Sequence, residues 1–322
     1  MNSRRIVAFD TSLVSENGGD SIIMKYINEV LDEIFPSDFV VHIPSHDSMG
    51  SFSRNYCKEA AYKIMCGTNI LTADMVRTKM WNVSIKDIPY IKDTILLGAG
   101  WREYEGQINF YTQWFWKKVL NKKYLHSVRD EYTKKRLEKM GINNVINTAC
   151  PTMWNLTEDF CSTIETTKQE NVITTLTNYR TTTPEVDYYM LNVLHDLYKN
   201  VYIWIQALED IEYLKKLNLS FEPIIISPGL QNYEKALQLS SVEYCGTRLH
   251  AGIEALNHKI RTLIIAKDNR ALEISKDTNL PVISESQIQN LKPLLLHSSN
   301  YRIQIPTKNI ERWKQQFKSL SE

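Results

Sequence analysis

Residues 241–268 read SVEYCGTRLHAGIEALNHKIRTLIIAKD. A short apolar run, SVEYCG, ends in Gly246-Thr247-Arg248. An apolar stretch with helical spacing follows over 249–258, and then a second β-rich run, IRTLIIAKD. Strand, tight turn, helix and strand in this order make a βαβ unit, whose strands are parallel and whose helix crosses the sheet. The pattern continues on both sides. Toward the C-terminus come a helix over 269–277 and the strand LPVIS. Toward the N-terminus lie NVITTLTNY, a helix over 185–199, VYIWIQA, a helix over 209–217, EPIIISP and a helix over 230–240.

The first half repeats the alternation. RIVAFD reads as a strand, 20–34 as an amphipathic helix, FVVHIP as a strand, 57–66 as a helix and NILTADM as a strand with its exit. DTILLGAG is a strand running into a Gly turn, 110–121 a helix, KYLHSVRD a strand and turn, and DEYTKKRLEKMG a helix closed by Gly141. Two such runs imply an α/β fold of two doubly wound domains. The polar stretch 155–170 separates them, giving domains over 1–160 and 161–305, with a last helix in 306–322 packing back across them.

The composition narrows the function. A net charge of +1 lacks the basic footprint of a nucleic-acid binder. The five cysteines are scattered without a CxxC pair, which fits a reducing compartment and no structural zinc. There is no HExxH and no GxSxG, so metal ligation and a serine nucleophile are not expected. The opening MNSRRIVAFD has no apolar signal core, and no run approaches the ~20 apolar residues that span a bilayer. The expectation is a cytoplasmic protein.

In open α/β sheets ligands bind beyond the carboxyl ends of the strands. The chemistry is therefore sought at strand-to-helix turns and in the cleft that two facing sheets would form. Asn17, Gly18, Gly19 and Asp20 open the first helix; Asp20 is either a general base or the helix N-cap. Gly98, Gly100 and Trp101 follow a buried strand. Arg180 stands among threonines after another, as an anion site or in a solvated loop. Gln206 can hydrogen-bond a polyol, and Asp210 sits in the next helix's first turn. Arg248 opposes the dipole of the helix it starts, so it either holds an anion with the helix N–H groups or pairs with a nearby carboxylate. His250, in the same turn, suits proton transfer or packs in an interface. Asn269 and Arg270 add possible anion contacts beside Lys267 and Asp268.

NGGD before a helix, LLGAGW, HSVRDEYTKKRLEKMGI, and above all GTRLHAGIEAL followed by LIIAKDNRALEISKDTNLPVI resemble the polysaccharide pyruvyl transferase family over most of the chain. The resemblance implies two Rossmann-like domains in a glycosyltransferase-B arrangement. It implies transfer of a pyruvyl group from phosphoenolpyruvate to sugar hydroxyls of a bacterial surface polysaccharide or its precursor, giving a ketal. On this reading Arg248 and, by family position, Arg180 hold the donor in the second domain, with Gly246, Thr247, Asn269 and Arg270. His250 is the acid, or hydrogen-bonds the leaving phosphate. Asp20 is the base. Asn17, Gly18, Gly19, Gly100, Trp101, Gln206 and Asp210 serve the acceptor, a glycan or lipid-linked sugar, with the protein itself peripheral to the inner membrane. Phosphoenolpyruvate is a co-substrate; no metal or other cofactor is implied. Two competing readings are a glycosyltransferase using a nucleotide-activated sugar and a non-catalytic glycan-binding relative.

Overall fold

The computed structural model describes residues 3–102, 104, 106–178 and 183–318. The chain divides into two compact units. The first comprises Met1–Ser15, Ile23–Trp154 and Ile305–Glu322; the second comprises Glu16–Ile22 and Asn155–Gln304. The turn holding Asn17 to Asp20, which the sequence placed in the N-terminal domain, thus groups with the second unit.

In the first unit, β1 (Arg5–Asp10), β2 (Phe39–Pro44), β3 (Tyr62–Cys66) and β4 (Thr94–Leu97) form a parallel sheet in the order β2-β1-β3-β4. A parallel pair, β5 (His126–Val128) and β6 (Val145–Asn147), adjoins β4 through a bridge between Ala99 and Val128. Side chains alternate across a strand, and here both faces are covered. Ile6 and Ala8 pack with Ile23, Ile27 and Leu31 of the helix Gly18–Ile34, while Val7 and Phe9 pack with Trp81, Phe115 and Trp116. Two buried faces explain why these strands read as nearly continuous apolar runs. The helix Thr307–Gln315 belongs to this unit. Its Trp313 is fully buried in the first cluster, and Asn309 donates to the Asn147 carbonyl at 2.8 Å.

Two sequence expectations fail here. Residues 57–66 are not one helix: a helix ends at Glu59 and YKIMC is β3, paired to β1 and β4. A short apolar run with buried neighbours does not declare its period. NILTADM is not a strand; it holds one bridge, Leu71 to Trp101, and then turns. The Thr72 hydroxyl accepts from the Asp74 N–H and the Asp74 carboxylate from the Val76 N–H, and such bonds compete with a ladder.

In the second unit six parallel strands follow the order β12-β11-β10-β7-β8-β9. They are β7 (Asn171–Thr174), β8 (Asn200–Trp204), β9 (Ile224–Ile226), β10 (Val242–Gly246), β11 (Thr262–Ala266) and β12 (Val282–Ser284). Counted within the unit, the order is that of a Rossmann sheet, and it reverses between β7 and β10. In doubly wound sheets, ligands bind at the carboxyl ends of the strands that flank such a reversal. Elsewhere in the sheet, Glu243 is 1% exposed and receives Arg261 Nη1 at 2.5 Å, the Gln169 N–H at 2.8 Å and the Tyr198 hydroxyl. Arg261 also donates to the carbonyls of Leu295 and His297, fastening the chain after Leu291–Leu296 to the sheet.

Candidate functional site

The turn after β10 sits at the switch point of the second unit, and its residues are packed for specific reasons. Gly246 has no room for a side chain: a Cβ there would lie 2.7 Å from the Thr175 nitrogen and 2.8 Å from both the Thr175 and Tyr244 hydroxyl oxygens. The Thr247 hydroxyl lies 3.1 Å from the Thr175 carbonyl oxygen and 2.9 Å from the Thr177 hydroxyl, donating its one proton to one and staying in contact with the other. Tyr244 joins the Thr175 hydroxyl at 2.6 Å and donates to the Arg248 carbonyl at 3.0 Å. The β7 and β10 exits are therefore sewn together by hydroxyls. Gly252, one helical turn on, lets the helix Leu249–Asn257 lie close to β11; a Cβ there would meet Ile264 at 2.5 Å.

Arg248 caps this helix and is 6% exposed. Its Nε donates to the Leu176 carbonyl at 2.7 Å, and its Nη2 to Asp210 Oδ1 at 2.7 Å and Oδ2 at 2.9 Å. The guanidinium thus lies across the carboxyl ends of β10, β7 and β8. Of the two sequence readings, the carboxylate-paired one describes this geometry, and the dipole-opposed charge is balanced within the protein. Asp210 sits in the first turn of the helix after β8, as its sequence position suggests. It faces Arg248 and accepts from the Gln206 and Ala207 N–H groups at 3.2 and 3.1 Å, capping the helix Leu208–Lys216. His250 is 7% exposed in the first turn of the Arg248 helix.

Beside this pair lies the turn that opens the helix Gly18–Ile34. Asn17, not Asp20, performs the capping: its Oδ1 accepts from the Gly19 N–H at 3.1 Å and its carbonyl from the Asp20 N–H at 3.0 Å. Asp20 is 7% exposed and receives Asn17 Nδ2 at 3.4 Å. Gly18 donates to the Gln206 carbonyl at 3.3 Å, and a Cβ on it would meet the Trp204 ring at 2.9 Å. Asn17, Gly18, Asp20, Gln206, Asp210, Arg248 and His250 therefore belong to one unit, and bonds link Gly18 to Gln206, Gln206 to Asp210 and Asp210 to Arg248.

Other predicted positions lie elsewhere. Gly100 is needed because a Cβ there would overlap the Arg129 guanidinium, 2.1 Å away. Trp101 is 1% exposed in the core, under Arg136 at 4.6 Å, so in this structure it is no platform for a sugar. Both are scaffold of the first unit. Arg270 turns back on Asp268, with Nε to Oδ2 at 2.7 Å, and Asn269 is 7% exposed at the start of the helix Asn269–Thr278. Arg180 lies outside the described residues.

The sequence missed four groupings. Thr175, Thr177 and Tyr244 frame the β10 turn; the threonine run after NVI was their signal. Lys267 is buried against Asp187 at 2.8 Å and also meets Glu285 and Thr183. Burial pushes the Asp187 carboxyl above its usual range despite the lysine. In the first unit, His42 Nδ1 lies 2.8 Å from Asp10 at the end of β1. Burial would raise the Asp10 carboxyl, but hydrogen bonds from His42 and Ser12 hold it below its usual range. Glu234, Glu254 and His258 bring one ligand atom each within 4.8 Å of one another, the donor set among the described residues that could hold a metal. Cavities of about 590 and 570 Å³ contain none of the switch-point residues.

The chain has an α/β fold of the glycosyltransferase-B type, built of two Rossmann-like units. The S. aureus MnaA–UDP structure is similar over 98% of this chain and 97% of that one, with a TM-score of 0.58 at 11% identity. Anabaena HepE, in complex with UDP and glucose, is similar over 91% and 89%, with a TM-score of 0.52 at 8% identity. At such identities the likeness is one of fold. In sequence, the family model for polysaccharide pyruvyl transferase matches residues 17–269, and the chain belongs to that family. It is accordingly a transferase of polysaccharide modification. No curated protein matches it in sequence. Among the described residues no helix is long and apolar enough to cross a membrane.

Proposed function

We propose that the protein transfers a pyruvyl group from phosphoenolpyruvate to two hydroxyls of a sugar, forming a cyclic ketal on a polysaccharide or its lipid-linked precursor. The family match over residues 17–269 carries this reading. The second unit supports it, because the matched Arg-Leu-His element falls at its switch point, where doubly wound sheets take ligands.

In this reaction the methylene carbon of phosphoenolpyruvate gains a proton and becomes the methyl group. Two hydroxyl oxygens bond to C2, the bond from C2 to the phosphate oxygen breaks, and inorganic phosphate leaves. Of the two hydroxyl protons, one balances the proton on carbon and the other leaves with phosphate or solvent. The donor brings a phosphate and a carboxylate, so it needs cations or helix N–H groups. Arg248 supplies one cation and Arg180 a second. Asp210 fixes the plane of the Arg248 guanidinium and holds its place before the donor arrives. His250 delivers the proton to carbon or hydrogen-bonds the departing phosphate, and Asp20 takes a proton from the acceptor. The scheme calls on no metal and no redox cofactor.

The test is a thermal-shift titration of wild type and Arg248→Lys with phosphoenolpyruvate and with UDP-sugars. A ligand that binds only the folded state raises the midpoint with concentration. The reading expects a rise with phosphoenolpyruvate that Arg248→Lys weakens. A rise with UDP-sugars alone would transfer the protein to glycosyl transfer.

A further inference from the structure

Gln206 is 3% exposed, yet neither its side-chain oxygen nor its side-chain nitrogen has a hydrogen-bond partner. Among the described residues it is the one buried amide with both ends unpaired. Its neighbour at the end of β8, Trp204, is fully buried, and its indole N–H is unpaired too. Buried polar groups are nearly always satisfied, and an orphaned one lowers stability. Three such atoms within three residues need a common reason.

Both side chains converge on one place, the first turn of the helix Gly18–Ile34. The Gly18 Cβ position is 3.6 Å from Gln206 Cγ and 3.0 Å from Trp204 Cζ2, on the edge of the indole that carries the N–H. A Cβ on Gly18 would strike the Trp204 ring at 2.9 Å, so only a glycine backbone lies this close to the two side chains. Trp204 is fixed from its other face by Tyr233, stacked at 4.1 Å. The Asp210 carboxylate, which holds the Gln206 backbone N–H, is itself paired with Arg248. What remains is one acceptor and two kinds of N–H donor, with the N-terminus of a 17-residue helix alongside.

We propose that Gln206 and Trp204, with the Gly18 turn above them, form a recognition subsite for a neutral, hydroxyl-bearing ligand, a sugar of the acceptor. A hydroxyl both donates and accepts, as a carboxamide does, and neither the Gln206 amide nor the Trp204 indole offers a cation to the anionic donor. Gln206 is then the specificity-determining residue, and the Gly18 turn shifts to admit the sugar. The assignment of this sugar as acceptor rests on the pyruvyl-transfer reading; the subsite itself does not.

The experiment compares wild type with Gln206→Leu and Gln206→Ala in thermal shift. Probes are phosphoenolpyruvate and a panel of free monosaccharides and methyl glycosides at high concentration. Leucine nearly preserves the volume and removes the orphaned amide, so Gln206→Leu should leave the ligand-free midpoint level or raise it by about 2–4 °C. At least one sugar should protect wild type and neither variant, while the phosphoenolpyruvate response persists in both. A midpoint that falls in Gln206→Leu would mean that the amide is satisfied within the fold, and would overturn the proposal. So would protection of the variants by the same sugar, or a wild type that no sugar protects. Sugar protection without a phosphoenolpyruvate response would keep the subsite and sink the donor.

Discussion

Acid should destabilise the first unit through one histidine. His126 opens β5 and is fully buried. Its Nδ1 accepts the Leu96 N–H at 3.2 Å, so the proton sits on Nε2, which donates to the Asn121 carbonyl at 2.8 Å. Protonating Nδ1 would set an N–H against an N–H. Burial pushes the imidazole down to about 4, with the Asn121 bond opposing only in part. An unfolded histidine titrates near 6.5. Between about 6.5 and 4 the unfolded chain therefore binds a proton that the folded chain refuses, and stability must fall as pH drops. The contribution is fully present above about 6.5. Over about 2.5 pH units, at about 1.4 kcal/mol each, the loss reaches about 3 kcal/mol by pH 4. Urea titrations from pH 7.5 to 4.5, followed by the fluorescence of buried Trp81, Trp101 and Trp116, would measure it. His126→Asn should be weaker at pH 7.5 but flatter with pH, lacking up to about 1.4 kcal/mol per pH unit of slope below pH 6. If wild type and His126→Asn fall in parallel, the linkage argument is wrong.

Other outcomes follow from the second unit. Asp210→Asn or Arg248→Met alone strands a buried group and should cost about 3–5 kcal/mol in urea unfolding, whereas the double replacement Arg248→Met with Asp210→Leu should cost much less than the sum. Gly246→Ala drives a methyl into Thr175 and Tyr244 and should cost about 1–3 kcal/mol, while Gly106→Ala, with nothing within 4 Å of the new Cβ, should be close to neutral. Glu243→Ala leaves Arg261 buried without its carboxylate and should lower stability by about 3–5 kcal/mol, read as a fall in the urea midpoint.

The sequence announced the β10 turn because strand, glycine and helix follow one another within a few residues, and local chemistry dictates each. It gave no notice of Asp210 as the partner of Arg248, 38 positions away, because only the strand order β10-β7-β8 brings them together. The dipole argument for an anion at Arg248 was sound as physics and incomplete as accounting, since a carboxylate of the protein itself supplies the charge. Trp101 is open to two readings. An aromatic residue after a glycine turn suits a sugar platform or the core equally, and the bridge from Leu71 draws it into the core. YKIMC failed for want of length: five residues do not distinguish the strand period from the helix period when every neighbour is apolar. Asn17 took the cap that Asp20 was offered because it stands one residue before the helix, where a side-chain oxygen reaches the first free N–H groups.

The central claim is transfer of pyruvate from phosphoenolpyruvate. Its most direct measurement is carbon-13 NMR of the protein incubated with phosphoenolpyruvate labelled at C2 and with surface-glycan acceptors. The account predicts that the vinyl carbon signal gives way to that of a quaternary ketal carbon, in step with release of inorganic phosphate. Label that stays in the vinyl position while a UDP-sugar is consumed on the same acceptors would contradict it.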